Sequence, residues 1–204
     1  MVDACAAIHA RAGRPFAREV LDQTVGHEDQ PPDIWGTFDP AVERSALQQA
    51  LEHHHESLVR QLPIMPGVEN FLRAAQARGL SCAIASNSPR QRVEAHVARL
   101  GLRSYFAAIR GIEDVARAKP EPDLYEAAVA ALGVAGGEAV AFEDSETGTL
   151  AAKRAGLWCV AVPNPSTRHQ NHTRADLRIE SLGGTTLAKI ISELGSRPEW
   201  VSLR

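Results

Sequence analysis

The sequence predicts an α/β protein in which a small helical domain precedes a parallel sheet flanked by helices. From about residue 67 onward, short apolar runs alternate with longer helical patterns, which is typical of a parallel sheet covered on both faces. The first 62 residues have helical patterns and no convincing strand. We therefore predict a helical domain over residues 1–62 and a sheet domain over residues 67–204.

Composition limits the classes of function. The chain has 204 residues, enough for one large domain or two unequal ones, and 44% of them are hydrophobic. It carries 22 Lys and Arg against 25 Asp and Glu, a formal charge of −3, so no basic excess is available to neutralise a nucleic acid backbone. Three well-separated cysteines and the absence of a long apolar stretch favour a soluble cytoplasmic protein without a membrane partner.

The first domain is predicted to contain three helices and a loop. The first helix covers Val2–Ala12 and ends at Gly13, since glycine accepts the left-handed dihedrals of a helix end. A short helix follows at Ala17–Val25, and residues 26–40 form a loop rich in proline, glycine and polar side chains. Apolar residues on one helical face predict the third helix at Ala41–Leu62.

The sheet domain begins after Pro63–Gly67, where two prolines and a glycine interrupt the helical pattern. Strands are predicted at Ser81–Ala85, Ala107–Gly111, Ala139–Phe142, Trp158–Val162 and, more weakly, Leu177–Ile179. Helices are predicted at Val68–Arg78, Pro89–Leu100, Pro122–Leu132, Thr147–Ala155 and Thr185–Leu194. Ser88 as N-cap, Pro89 in the first position and Gln91 in the third mark the start of the second of these helices.

Candidate functional residues follow the strands, because ligands of open parallel sheets bind beyond the carboxyl ends of the strands. Ser86 and Asn87 come directly after the first predicted strand and precede a helix. A hydroxyl group and free backbone N–H groups at that place suit an anion such as phosphate. The alternative is that the two residues merely form a turn.

Lys119 is the second candidate, because Pro120 and Pro122 restrict the backbone beside it. A lysine on a rigid segment can hold its ammonium group where phosphoryl charge needs to be neutralised. The alternative is an ordinary solvated lysine.

Glu143 and Asp144 form the third candidate, at the end of the third predicted strand. Carboxylate oxygens at a strand end suit Mg²⁺, which takes few protein ligands and completes its shell with water and phosphate oxygens. Asp144 or Ser145 can also act as a helix cap, and a capping role does not exclude a ligand role.

Taken together, these segments resemble motifs of the haloacid dehalogenase superfamily of phosphohydrolases, in the branch that has an early helical cap and includes β-phosphoglucomutases and sugar-phosphate phosphatases. Residues 85–89 (ASNSP) resemble its second motif, 118–122 (AKPEP) its third and 142–148 (FEDSETG) its fourth. Residues 66–68 and 151–156 are also similar to the family. The resemblance implies a Rossmann-like core preceded by the cap.

The resemblance also implies roles for individual residues. Ser86 and Asn87 would bind the phosphoryl group, Lys119 would balance its charge, and Asp144 would ligate Mg²⁺ with help from Glu143. His27, in the cap loop, would contact a small phosphorylated substrate such as a sugar phosphate; the alternative is a solvated loop histidine.

The chain departs from the family at its first motif. That motif, Asp-x-Asp on an opening strand, supplies the nucleophile and the acid/base group, and no two aspartates are two residues apart in this sequence. In the family the opening strand lies between the strands that end at Ser86 and Asp144. Two hypotheses follow: an N-terminally truncated phosphatase with impaired catalysis, or a non-catalytic protein that retains a phosphate and Mg²⁺ site. The sequence does not distinguish a hydrolase from a phosphoglucomutase-like phosphotransferase in the full-length form.

Overall fold

The computed structural model describes residues 2–16, 34, 36, 38 and 44–196. The chain divides into two compact units, Met1–Pro63 and Ile64–Arg204. No helix among the described residues is long and apolar enough to cross a membrane.

The first unit contains two described helices, α1 (Val2–Arg11) and α2 (Arg44–Gln61). The chain leaves α1 through Gly13, whose φ of 64° is the left-handed conformation expected at that position. The two helices pack through a small apolar cluster of Ala4, Cys5 and Leu51, all buried. The helix predicted at Ala17–Val25 and almost all of the loop predicted at residues 26–40 lie outside the described residues.

The second unit alternates strands and helices as predicted. Its strands are β1 (Cys82–Ala85), β2 (Phe106–Arg110), β3 (Val140–Glu143), β4 (Trp158–Ala161) and β5 (Leu177–Arg178). Its α-helices are α3 (Val68–Ala77), α4 (Arg90–Arg99), α5 (Asp123–Leu132), α6 (Glu146–Arg154) and α7 (Leu187–Gly195). Each of these elements begins and ends within about two residues of its predicted bounds.

All strand pairs are parallel, but the described strands form two sheets where the helix–strand alternation alone predicts one. β1 pairs with β2, whereas β3, β4 and β5 pair in that order. No backbone ladder joins β1 to β3 within the described part of the chain. The break in backbone pairing therefore lies between β1, which ends at Ala85, and β3, which ends at Glu143.

Apolar side chains cover both faces of the sheet around β4. Trp158 and Val160 pack into one cluster with Phe71 and residues of α7, whereas Cys159 packs on the opposite face with Ala152 of α6. This alternation follows from the two-residue period of a strand. Burying an aliphatic side chain of this size stabilises the fold by roughly 1.5–3 kcal/mol, so these two clusters hold the strand ends in place.

The predicted cap of α4 is wrong. Pro89 occupies the N-cap position, and no side chain of that local segment caps the helix. The carboxylate of Glu113 instead accepts from the backbone N–H of Arg90, at 2.9 and 3.1 Å to its two oxygens. The physical reason is that a carboxylate from a distant loop satisfies the free N–H better than the nearby Ser88 hydroxyl.

Candidate active site

The candidate site lies at the carboxyl ends of β1 and β3, on either side of the Lys119 ammonium group. Lys119 Nζ donates to the carbonyl oxygen of Ala85, the last residue of β1, at 2.9 Å. It also contacts Glu143 Oε1, on the last residue of β3, at 2.5 Å. Only 11% of the lysine side chain and 8% of the glutamate side chain are exposed, so solvent screens this ion pair weakly. Parallel strands bring residues distant in sequence together at one rim.

Asn87 joins β1 to the segment that carries Lys119. Its Oδ1 accepts from the backbone N–H of Lys119 at 2.9 Å, and its Nδ2 donates to the Lys119 carbonyl at 3.2 Å. Both ends of the amide are therefore occupied by the lysine backbone, next to the cis Lys119–Pro120 peptide bond. This geometry lets Asn87 fix the position of Lys119.

Ser86 lies in sequence between Ala85 and Asn87, which both form hydrogen bonds with Lys119. Its Oγ accepts from the backbone N–H of Ser88 at 3.1 Å, while its own N–H donates to the carbonyl of Arg110 in β2. A hydroxyl group that accepts one hydrogen bond can still donate its proton. Ser86 thus directly follows Ala85, whose carbonyl accepts from the Lys119 ammonium.

Glu143 is buried and has two donors on one oxygen. The hydroxyl group of Tyr125 in α5 donates to Oε1, which also receives the Lys119 ammonium. The glutamate carboxylate lies directly against Gly148 in α6, where a β-carbon would overlap it. The geometry commits the Oε1 oxygen of Glu143 to Lys119 and Tyr125.

Asp144 has a different environment from its neighbour. The residue is exposed, and its Oδ2 accepts from Asn164 Nδ2 at 2.6 Å. Although the residue has exposed surface, the protein around its carboxyl group partly desolvates that group and raises the pKa of Asp144; the Glu143 charge raises it further, while a backbone hydrogen bond and Lys119 lower it. Asp144 therefore offers an accessible carboxylate at the strand end, whereas Glu143 is enclosed.

The donor set fits a magnesium ion. Mg²⁺ uses one or two carboxylates and keeps several water or phosphate oxygens, so a dense protein cage is not required. Among the described residues, no group of three or more His, Cys, Asp and Glu side chains is arranged to hold a metal. Asp144 is the more exposed of the two carboxylates and could hold such an ion.

One residue predicted for the site is not described by the structure, and three residues that contact the site were not predicted from the sequence. His27 lies outside the described residues. Tyr125, Gly148 and Asn164 were not singled out as partners of the site. Asn164 follows β4, so the rule that ligand-binding residues lie beyond the carboxyl ends of strands could have identified it. The contact of Tyr125 with Glu143 spans 18 residues, and no local pattern signals it.

The fold and the site define an α/β protein in which a serine, a lysine and two carboxylates lie at the carboxyl ends of parallel strands, where ligands of such proteins bind. Residues 7–156 match the model of the haloacid dehalogenase-like hydrolases. The chain belongs to this family.

Two curated relatives illustrate the match. YhcW of Bacillus subtilis (strain 168) is 42% identical over 132 residues, which are 65% of this chain and 60% of YhcW. Hexitol phosphatase B of Escherichia coli (strain K12) is 31% identical over 181 residues, covering 85% of this chain and 81% of that protein. The alignments with YhcW and with CbbY of Rhodobacter capsulatus span only about 60% of each relative's length.

Solved structures agree with the fold. CbbY from Rhodobacter sphaeroides in complex with phosphate has a TM-score of 0.72 and 27% identity, covering 92% of this chain and 89% of that chain. A mutant of the same protein was solved with xylulose-(1,5)bisphosphate, with a TM-score of 0.68 over the same shares of the two chains. A protein from Thermotoga maritima, described as a β-phosphoglucomutase, has a TM-score of 0.77 at 19% identity, covering 94% and 90%, and shows the fold alone.

Proposed function

We propose that this chain is the cap and core of a Mg²⁺-dependent phosphatase that acts on a small phosphorylated metabolite, such as a sugar phosphate. The observation that carries the proposal is the Lys119 ammonium, held by Ala85 and Glu143 at the ends of two strands. The relatives named as a hexitol phosphatase and as CbbY with a bound bisphosphate support this substrate class. The unpaired cysteines support a cytoplasmic location.

The residues divide the work of phosphoryl transfer by position and charge. Ser86 donates a hydrogen bond to a phosphoryl oxygen, and Lys119 neutralises negative charge beside it. Asp144 holds Mg²⁺, which when bound offsets the charge that develops on the phosphoryl oxygens. Glu143 keeps Lys119 in position. In this proposal His27 would help to select the substrate.

We also propose that the 204-residue chain alone turns over substrate very weakly or not at all. The break between β1 and β3 lies where the family has a strand that bears the nucleophilic aspartate, and the sequence contains no Asp-x-Asp. Electrostatic stabilisation without a nucleophile supplies only part of the rate enhancement. The competing hypothesis is a non-catalytic protein that binds phosphate and Mg²⁺.

Expression of two forms tests the proposal: the 204-residue chain, and the same chain extended by the in-frame codons upstream of Met1. Phosphate release is measured with Mg²⁺ on a panel of sugar phosphates and sugar bisphosphates. We expect hydrolysis by the extended form, loss of that activity in its K119A and D144N variants, and little turnover by the shorter chain. Transfer of phosphate between sugar positions without release would indicate the phosphotransferase instead.

Two results would contradict the proposal. Upstream stop codons, or an extended form that opens with no apolar strand and Asp-x-Asp, would remove the truncated-phosphatase hypothesis. An extended form that is stabilised by phosphate and Mg²⁺ but hydrolyses nothing would favour the non-catalytic alternative.

A further inference from the structure

The Lys119 ammonium group is held on three sides. Two of its N–H groups have oxygen acceptors, the Ala85 carbonyl at 2.9 Å and Glu143 Oε1 at 2.5 Å. The ring of Tyr125 covers a third side, with its centroid 4.7 Å from Nζ. An ammonium group has three donors, so beside the ring one donor has no oxygen acceptor among the described residues and can bind an anion. A lysine held in this way presents that donor in one direction.

Tyr125 contributes more than its ring. The residue is 8% exposed, and its hydroxyl group donates to the same Glu143 oxygen that receives Lys119. Burial and the Glu143 charge raise the pKa of Tyr125 well above its usual value, so the phenol remains a donor at neutral pH. A buried hydroxyl costs desolvation energy unless it is hydrogen-bonded, and Glu143 satisfies it.

We propose that Tyr125 is a positioning residue for phosphate binding: its hydroxyl group fixes the Glu143 carboxylate, which in turn aims the free N–H of Lys119 at the phosphoryl group. This inference rests on the proposed phosphate-binding role of Lys119. It adds a residue from α5 whose hydroxyl group is already hydrogen-bonded to Glu143. Asp144 is left as the carboxylate available to the ion.

Packing alone does not account for this arrangement. Phenylalanine would fill the same space and cover the same side of the ammonium group. Without the hydroxyl, Lys119 is the one remaining donor described on Glu143 Oε1, and the carboxylate is otherwise restrained by its packing against Gly148. The carboxylate then has more freedom to rotate, and the ammonium group follows it.

The first test needs no ligand. The chain has only three lysines, Lys119, Lys153 and Lys189, so ¹⁵N labelling of lysine gives three side-chain signals that single substitutions assign. In Y125F we expect the Lys119 Nζ signal to shift and its ammonium protons to exchange with water about tenfold faster. Lys153, which pairs with Asp176 at 2.6 Å, and the exposed Lys189 should not change, which also shows that the fold is intact.

Y105F is the matched control, because Tyr105 is the only other tyrosine and packs in the separate cluster around Val97 and Ile109. It should leave the Lys119 signal in place. E143Q is the second variant and should displace the Lys119 signal as Y125F does. Because Tyr125 acts through Glu143, Y125F should add little in the E143Q background. An unchanged Lys119 signal in Y125F, or full additivity in the double variant, would overturn the proposal.

The second test uses inorganic phosphate, titrated into each protein while the Lys119 signal is followed. We expect phosphate to bind the unmodified chain and to bind Y125F about tenfold more weakly, with Y105F unaffected. Equal affinities would contradict the positioning role. If the unmodified chain does not bind phosphate, the proposed phosphate-binding role of Lys119 in this chain is wrong, while the ligand-free spectra still decide whether Tyr125 positions Lys119.

Discussion

Gly148 shows how the packing of one residue controls an ion pair. Its α-carbon lies against the Glu143 carboxylate, leaving no room for a side chain. We expect G148A to push the carboxylate away from Lys119, to cost about 1–3 kcal/mol in the free energy of unfolding, and to weaken phosphate binding. Urea unfolding and phosphate titration measure the two effects. G133A is the control: Gly133 has a φ of 71° and open space around it, so only stability should fall. Unchanged phosphate binding in G148A would contradict this account.

Cys159 gives the protein a stability limit at alkaline pH. Burial raises the pKa of its thiol from 9.0 to about 12, and the Glu143 charge adds to the effect. Because the folded-state pKa lies above the unfolded one, the thiol's contribution is fully present below about pH 9 and is lost as the pH rises toward 12. At about pH 10.5 the loss is roughly 2 kcal/mol.

The C159A variant isolates that contribution. Its stability at neutral pH should be lower by about 1 kcal/mol because of the cavity, but its stability should decline less between about pH 8 and pH 10.5. Urea unfolding at the two pH values measures the difference. Parallel declines in both proteins would show that the thiol does not carry this pH dependence.

At the scale of the element, the start of α4 depends on a residue far from it in sequence. Glu113 accepts from the Arg90 N–H, whereas the Ser88 side chain forms no cap. We expect E113A to lower the free energy of unfolding by about 1 kcal/mol and S88A to have little effect. Urea unfolding of the two variants is the measurement. A larger loss of unfolding free energy in S88A than in E113A would instead support Ser88 as the N-cap, as the sequence predicted.

Local pattern was sufficient for most elements and insufficient for contacts between them. The apolar run at Trp158 predicts β4 because a buried strand needs such a run, and Ser145 caps α6 by accepting from Gly148 as its local sequence allows. The Glu113 cap and the Tyr125 contact involve partners 23 and 18 residues away, which no helical or strand period encodes. Such contacts are visible only once the fold brings the elements together.

The candidate site was predicted from the rule that parallel strands end at the same edge of a sheet, because no local sequence pattern links its residues. Ser86, Lys119 and Glu143 belong to different segments, and the sequence placed them at one rim because parallel strands end on the same side. The structure joins Lys119 to Glu143 and to the carbonyl of Ala85, the residue before Ser86. It also gives Asn87 and Glu143 geometry that residue type alone did not reveal, since both are occupied by contacts to Lys119. Residue type predicts the chemistry, and packing decides which atoms are available.

At the scale of the whole molecule, the division into two sheets predicts which backbone amides are protected from hydrogen exchange. The registers of the two ladders turn the amides of Ala83 and Ala85 away from β2, and those of Val140 and Phe142 away from β4. Neither set has a backbone ladder partner within the described part of the chain. We expect these four amides to exchange with deuterium at least tenfold faster than the paired amides beside them in the same strands.

Residue-resolved hydrogen exchange measures this, and the amides of Ile84, Ala141 and Glu143 serve as internal references because the same ladders pair them. In the extended form of the chain, a strand inserted between β1 and β3 would pair the outward-facing amides and slow their exchange toward that of the references. If all the amides exchange equally slowly in the 204-residue chain, another segment already occupies the break. The proposed need for an additional strand would then be wrong, whatever the phosphatase assays show.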